Sequence, residues 1–104
     1  MKRLSLASIA AAALFLYEHT AFAQTAVTLE DYPACLTEEF LDDFMTFAAA
    51  KDIASADAYV KSRKCIVLKG GLRVTITDAG FTKHQFAYQG VKLWTVAEAL
   101  KLVR

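Results

Sequence analysis

Proline, glycine and histidine are scarce in this chain of 104 residues: Pro33 is the single proline, Gly70, Gly71, Gly80 and Gly90 are the glycines, and His19 and His84 are the histidines. No Pro-, Gly- or Ser-rich stretch marks a linker, and no repeat or low-complexity tract is present. The scarcity of ligands matters for chemistry. Beyond residue 23 the sequence offers one imidazole, His84, and two separated cysteines, Cys35 and Cys65. That is too few for a tetrahedral metal set. The pairs Glu38-Glu39 and Asp42-Asp43 lack the spacing of a calcium loop, and no metal or other cofactor is expected. Lys69-Gly70-Gly71 lacks the frame of a phosphate loop and precedes a strand pattern, where a phosphate loop precedes a helix. A formal net charge of +1 gives no overall field for nucleic acid. No apolar run reaches the roughly 20 residues that span a bilayer.

The longest apolar run lies at the start. Met1-Lys2-Arg3 is cationic, Leu4 to Tyr17 (LSLASIAAAALFLY) is apolar, and EHTAFA ends in small residues at Ala21 and Ala23. This is the tripartite layout of a secretory signal peptide over residues 1–23. No cysteine follows the cleavage point, so a lipoprotein anchor is not expected. The expectation is a soluble chain from Gln24 to Arg104, exported to a periplasm or secreted. About 80 residues make one small domain with a marginal core, which gains from a covalent staple. An even pair of cysteines in an oxidising compartment predicts a Cys35–Cys65 disulfide.

Gln24 to Pro33 reads as a polar, extended lead-in. From Leu36 the period becomes helical, with Leu36, Phe40, Phe44 and Phe47 on one stripe and Leu41 and Ala48 beside it. Thr37 suits the N-cap and Glu38 and Glu39 the first turn, so a helix is expected to about Ala50. Ile53 to Ser62 predicts a second helix, antiparallel to the first, and the hairpin should pack on a sheet through Phe40, Phe44 and Phe47. Both cysteines then lie at the same end of that hairpin. After Cys65 the period drops to two. Strands are expected at 66–68, 72–77, 81–88 and 91–95, with turns at Lys69-Gly70-Gly71, Asp78-Ala79-Gly80 and Gln89-Gly90. Thr95 and Glu98 fit a capping box for a closing helical segment, TVAEALKL. The fold class is α+β: a helical hairpin packed on a small antiparallel meander or barrel, with one disulfide.

The run GLRVTITDAG, followed by FAYQGVKLWT, places short strands between turns and a glycine ahead of Leu93-Trp94-Thr95. It resembles bacterial SH3-like small β-barrel domains over the C-terminal half of the chain. The stretch is shorter than that family's usual domain and has no long loop after its first strand. The resemblance implies a binding module of the cell envelope and carries no catalytic residue across.

Charge is unevenly distributed. Residues 24–60 contain eight acids (Glu30, Asp31, Glu38, Glu39, Asp42, Asp43, Asp52, Asp57) and one base, Lys51; residues 61–104 contain nine bases and two acids, Asp78 and Glu98. Two explanations stand. The halves complement each other within one domain, or the basic sheet offers a surface to an anionic ligand or acidic partner. In the second case Arg73, Lys83, Lys92 and Trp94 are the candidate binding residues. Val91 and Leu93 share one parity of their strand and Lys92 and Trp94 the other, so Trp94 is either covered by the helices or an interface anchor. A Cys65–His84–Asp78 set has the residue types of nucleophilic catalysis, but a bonded Cys65 has no thiolate to offer. The expected function is a non-enzymatic exported module that binds an envelope component or periplasmic protein. The alternative is a small inhibitor or immunity-type protein that blocks a secreted enzyme or toxin through Glu38, Glu39, Asp42 and Asp43.

Overall fold

The computed structural model describes residues 24–103, and the expected signal peptide lies outside the described residues. The order is β1 (Gln24–Thr28), β2 (Pro33–Cys35), α1 (Glu38–Ala49), α2 (Ile53–Lys61), β3 (Cys65–Val67), β4 (Arg73–Ala79), β5 (Lys83–Tyr88), β6 (Val91–Val96), a single 3-10 turn (Ala97–Ala99) and β7 (Leu100–Leu102). The class is α+β, two helices on an antiparallel sheet ordered β3-β2-β6-β5-β4-β1-β7.

A long two-stranded ribbon organises the sheet. β1 pairs with β4 and β2 with β3. Between these pairs Thr28 N donates to Leu72 O, Asp31 N to Leu68 O and Leu68 N to Tyr32 O. The ribbon bends at residues 29–32, where Asp31 takes a φ of 70°. Its near half joins β5 through β4, and its far half joins β6 through β2. Opposite ends of one ribbon therefore pair with opposite edges of β4-β5-β6, and the sheet wraps around the larger of two buried clusters. Ala26, Ala34, Leu68, Val74, Ile76, Phe86, Leu93, Ala99 and Leu100 form that core.

Two hydroxyls hold the bend closed. The buried Thr28 donates to Lys69 O at 2.6 Å and accepts from Leu72 N at 3.0 Å. Thr95, also buried, donates to Pro33 O at 2.7 Å and ties β6 to β2.

The hairpin is locally specified. Thr37 Oγ1 accepts from Phe40 N at 3.0 Å, and Asp52 Oδ1 accepts from Ser55 N at 3.2 Å. Each helix ends in a paired wrap: Lys51 N and Asp52 N reach Ala48 O and Phe47 O, while Arg63 N and Lys64 N reach Val60 O and Tyr59 O. This is the Schellman geometry, with left-handed Lys51 (φ 58°) and Arg63 (φ 62°) where glycine is usual. The Cys35–Cys65 disulfide joins directly opposed residues of β2 and β3, Cα–Cα 3.9 Å, across a separation of 30. A bridge over such a loop stabilises by about 3–4 kcal/mol in the chain-entropy account.

Four expectations are corrected. The lead-in is strand β1 and contributes Ala26 and Thr28 to the interior. Gly70-Gly71 is no hairpin turn, because β3 and β4 do not pair; it is the ribbon's bend, with Gly71 at φ 80°. The segment TVAEALKL forms no closing helix: β6 continues to Val96, one 3-10 turn follows, and β7 returns to pair with β1. Finally, α1 is anchored on the sheet by Leu41, its one fully buried residue; Phe40 and Phe44, half-buried, pack against the same cluster of Leu41 with Cys35 and Cys65, and Phe47 does not. Phe40 and Phe47 meet Tyr59 edge-on, centroids 5.9 and 5.0 Å away, so these rings fill the interhelical seam.

Candidate functional site

The β4-β5-β6 meander sets which side chains share a face. Val74, Ile76, Phe86 and Leu93 point into the core, so the alternate positions point out. Registers Thr75–Ala87–Lys92 and Gln85–Trp94 place Lys92 and Trp94 on the outer face, with Lys83 and Arg73 along the same face. The tight turn Gln89-Gly90, with φ 50° and 80°, holds β5 and β6 in this register. All four residues singled out as a basic face thus lie on one side of the sheet.

They are not equally available. Lys83 Nζ lies 2.8 Å from Glu38 Oε1 and 2.9 Å from Asp42 Oδ1. The hydrogen bond to Glu38, followed by that to Asp42, raises the Lys83 ammonium above its ordinary value. One candidate base is therefore clamped by two of the candidate acids. A third acid is also engaged: Asp43 accepts the Tyr59 hydroxyl at 2.8 Å, which raises the phenol pKa. Arg73 and Lys92 remain exposed.

Trp94 is half-buried against Cys35, Leu41 and Cys65, beside Phe40, Phe44 and Tyr59. The helices do cover its inner side. Its other side borders a hollow of about 290 Å³ lined by Glu38, Asp78, Gly80, Phe81, Thr82 and Lys83. Phe81 is 100% exposed there, an aromatic ring on the tip of the β4–β5 turn. The turn itself is tightly built: Gly80 N donates to Lys83 O at 2.9 Å, and a Cβ on Gly80 would meet that same oxygen at 2.5 Å. Phe81 was expected inside a strand. The signal for its true place was Gly80 beside it, which breaks the alternation.

The disulfide withdraws Cys65 from the nucleophile set. Cys65 is in the disulfide on β3, and Asp78 pairs with Gln85 on β4. His84 sits on β5 opposite Thr95 and Ala79, its Nδ1 buried without a hydrogen-bond partner. Among the described residues no cluster of His, Cys, Asp and Glu is arranged to hold a metal ion, and no helix is long and apolar enough to cross a membrane. No protein-family model, curated protein or solved structure matches this chain.

Proposed function

We propose that this chain is a non-enzymatic interaction module, exported to the periplasm or secreted, that binds a protein or envelope component. The observation that carries the reading is the fully exposed Phe81 beside half-buried Trp94. An aromatic pair with one ring seated and one presented is the kind of anchor that dominates interfaces. Lys92 and Arg73, exposed on the same face, add cationic donors for an anionic ligand group. Lys83 instead positions the helical hairpin. The disulfide supports an oxidising compartment.

The likeness to SH3-like barrels is supported by the way β4-β5-β6 is flanked by β1 and β2. Strand β1 precedes the hairpin, so residues 29–72 supply the long excursion that the C-terminal half alone lacks. The inhibitor reading has less support. Glu38, Asp42 and Asp43 already serve contacts within the chain, which leaves Glu39 as the uncommitted member of that acidic set.

Capture from a periplasmic extract with partner identification tests the proposal. Phe81→Ala should leave the melting temperature unchanged and lower recovery of the partner. Lys92→Ala should lower it in a salt-dependent way. Recovery unchanged in both variants would refute the binding face, and an intact mass that retains residues 1–23 would refute export.

A further inference from the structure

A second recognition element lies at the free edge of β3. This strand ends the sheet and pairs on one side only, with β2. Leu36 N donates to Lys64 O and Leu68 N to Tyr32 O, so residues 64, 66 and 68 turn their backbone groups toward β2. By alternation, the amides and carbonyls of Cys65 and Val67 point away from β2; Cys65 is covered, at 1% exposure, so Val67, at 50%, is the residue that opens its backbone to a guest. An unpaired edge of this kind is a template for another strand.

The flanks of the edge are shaped for side chains. Ile66 and Val67 are 43% and 50% exposed and point to opposite faces. On the hairpin face, Val67 borders a groove of about 420 Å³ walled by Phe44, Phe47, Ile53, Ala56 and Val60. On the other face, Ile66 borders a hollow of about 280 Å³ with Leu36, Tyr88 and Val91, rimmed by Arg63 and Lys64. A strand added to β3 would drop alternate side chains into these two apolar hollows.

Charge selects the occupant. Lys61, Arg63, Lys64 and Lys69 bracket β3, and the sequence from Lys61 to Thr77 contains no carboxylate. Lys61 is offset by Asp57 at 4.0 Å, and Glu30 and Asp31 lie near the Lys69 end. The uncompensated charge is therefore concentrated at Arg63 and Lys64. Arg63 is exposed, and Lys64 rests over Tyr59 and Phe40 at 4.8 and 5.3 Å, which leaves its charge unneutralised. Antiparallel pairing of β3 with β3 of a second copy would set Arg63 and Lys64 of each copy against Lys69 of the other. The same lysines that blunt the edge against self-association favour an acidic guest.

We propose that the β3 edge binds an extended segment of a partner protein, apolar at alternate positions and acidic at the end that lies beside Arg63 and Lys64. Main-chain bonds to Val67 and burial in the two hollows supply the affinity, and the hollows and the basic rim supply the selection. Its two hollows share no lining residue with the one beside Phe81 and Trp94.

Val67→Pro is the discriminating variant. It deletes an outward N–H and leaves the β2 ladder intact, a position where an edge strand accepts proline. A displayed library of random decapeptides is selected on the oxidised wild-type protein, and the winners are measured as fluorescent peptides. The expected winners alternate apolar residues and carry acids at one end. Val67→Pro should weaken them about tenfold or more, the cost of a lost main-chain bond. Phe81→Ala should leave them unaffected. Arg63→Glu, whose side chain is exposed, keeps the test open if the proline variant does not fold; it should abolish the acidic preference. In amide exchange, the peptide should protect Val67. No enriched peptide, winners that bind both variants as well as wild type, or winners without acids would overturn the proposal. Concentration-dependent dimers abolished by Val67→Pro would also overturn it, in favour of a second copy on this edge.

Discussion

Two buried threonines carry more of this structure than their size indicates. Thr28 satisfies both Lys69 O and Leu72 N, so one hydroxyl closes the bend between β3 and β4. Thr28→Val keeps the shape and strands both backbone groups, which should cost about 1–3 kcal/mol. Thr77, whose exposed hydroxyl donates to Gln85 Oε1, is the control: Thr77→Val should stay within about 0.5 kcal/mol. Urea unfolding measures both, and equal losses would mean that water replaces the Thr28 hydroxyl. The helical stripe teaches a second lesson at this scale. Periodicity marks an apolar face but not which member points inward. Leu41, beside the phenylalanines, is fully buried, while Phe44 lines an open groove. Leu41→Ala should therefore cost about 2–5 kcal/mol, and Phe44→Ala less than Leu41→Ala. The reverse order would make Phe44, in place of Leu41, the main anchor of α1 on the sheet.

Elements were legible where local signals agreed with the tertiary fold. Thr37, Asp52 and Gln89-Gly90 act within a few residues of themselves, and α1, α2 and the β5–β6 turn lie close to where the sequence puts them. The ribbon was not legible. β1 hides its inward positions in Ala26 and Thr28, and β2 in Ala34, residues that no hydrophobic pattern marks. The capping-box reading of Thr95 failed because a distant acceptor, Pro33 O, takes its hydroxyl, and the unpaired side of β1 draws Leu100–Leu102 into the sheet. The hairpin also contains a local conflict. Lys51 holds a φ of 58° at the wrap that ends α1, where a Cβ is unfavourable. Lys51→Gly relieves that strain but frees the unfolded chain, so the net gain should be about 0.5–1 kcal/mol. For a domain of this size the melting temperature should rise by about 2–8 °C. A fall would show that the lysine side chain contributes more than its backbone costs.

For the whole molecule, the charge asymmetry between the two halves is the feature most open to test. The acidic hairpin and basic sheet meet at Lys83, which keeps 26% of its side-chain surface exposed between Glu38 and Asp42. Complementary halves were one of two explanations legible in the sequence; that Lys83 is the joint was not, because 41 residues separate it from Asp42. The joint has a pH signature with a definite sign. Lys83 holds its proton more tightly in the fold than at its ordinary 10.5, because it donates first to Glu38 and then to Asp42. Its contribution is complete below that value and is lost as pH rises through the raised one. Tyr59 acts in the same direction from its ordinary 10.0, since its hydroxyl donates to Asp43. Wild-type stability should thus hold up to about pH 10 and fall above it, more steeply than in Lys83→Gln. Lys83→Gln combined with Tyr59→Phe should flatten the curve further. Trp94 is the single tryptophan and packs beneath α1, so its emission during urea titration reports the seam directly. Wild type and both variants losing stability in parallel would show that the hairpin is held by Leu41 and the disulfide alone, with no share from the ion pair.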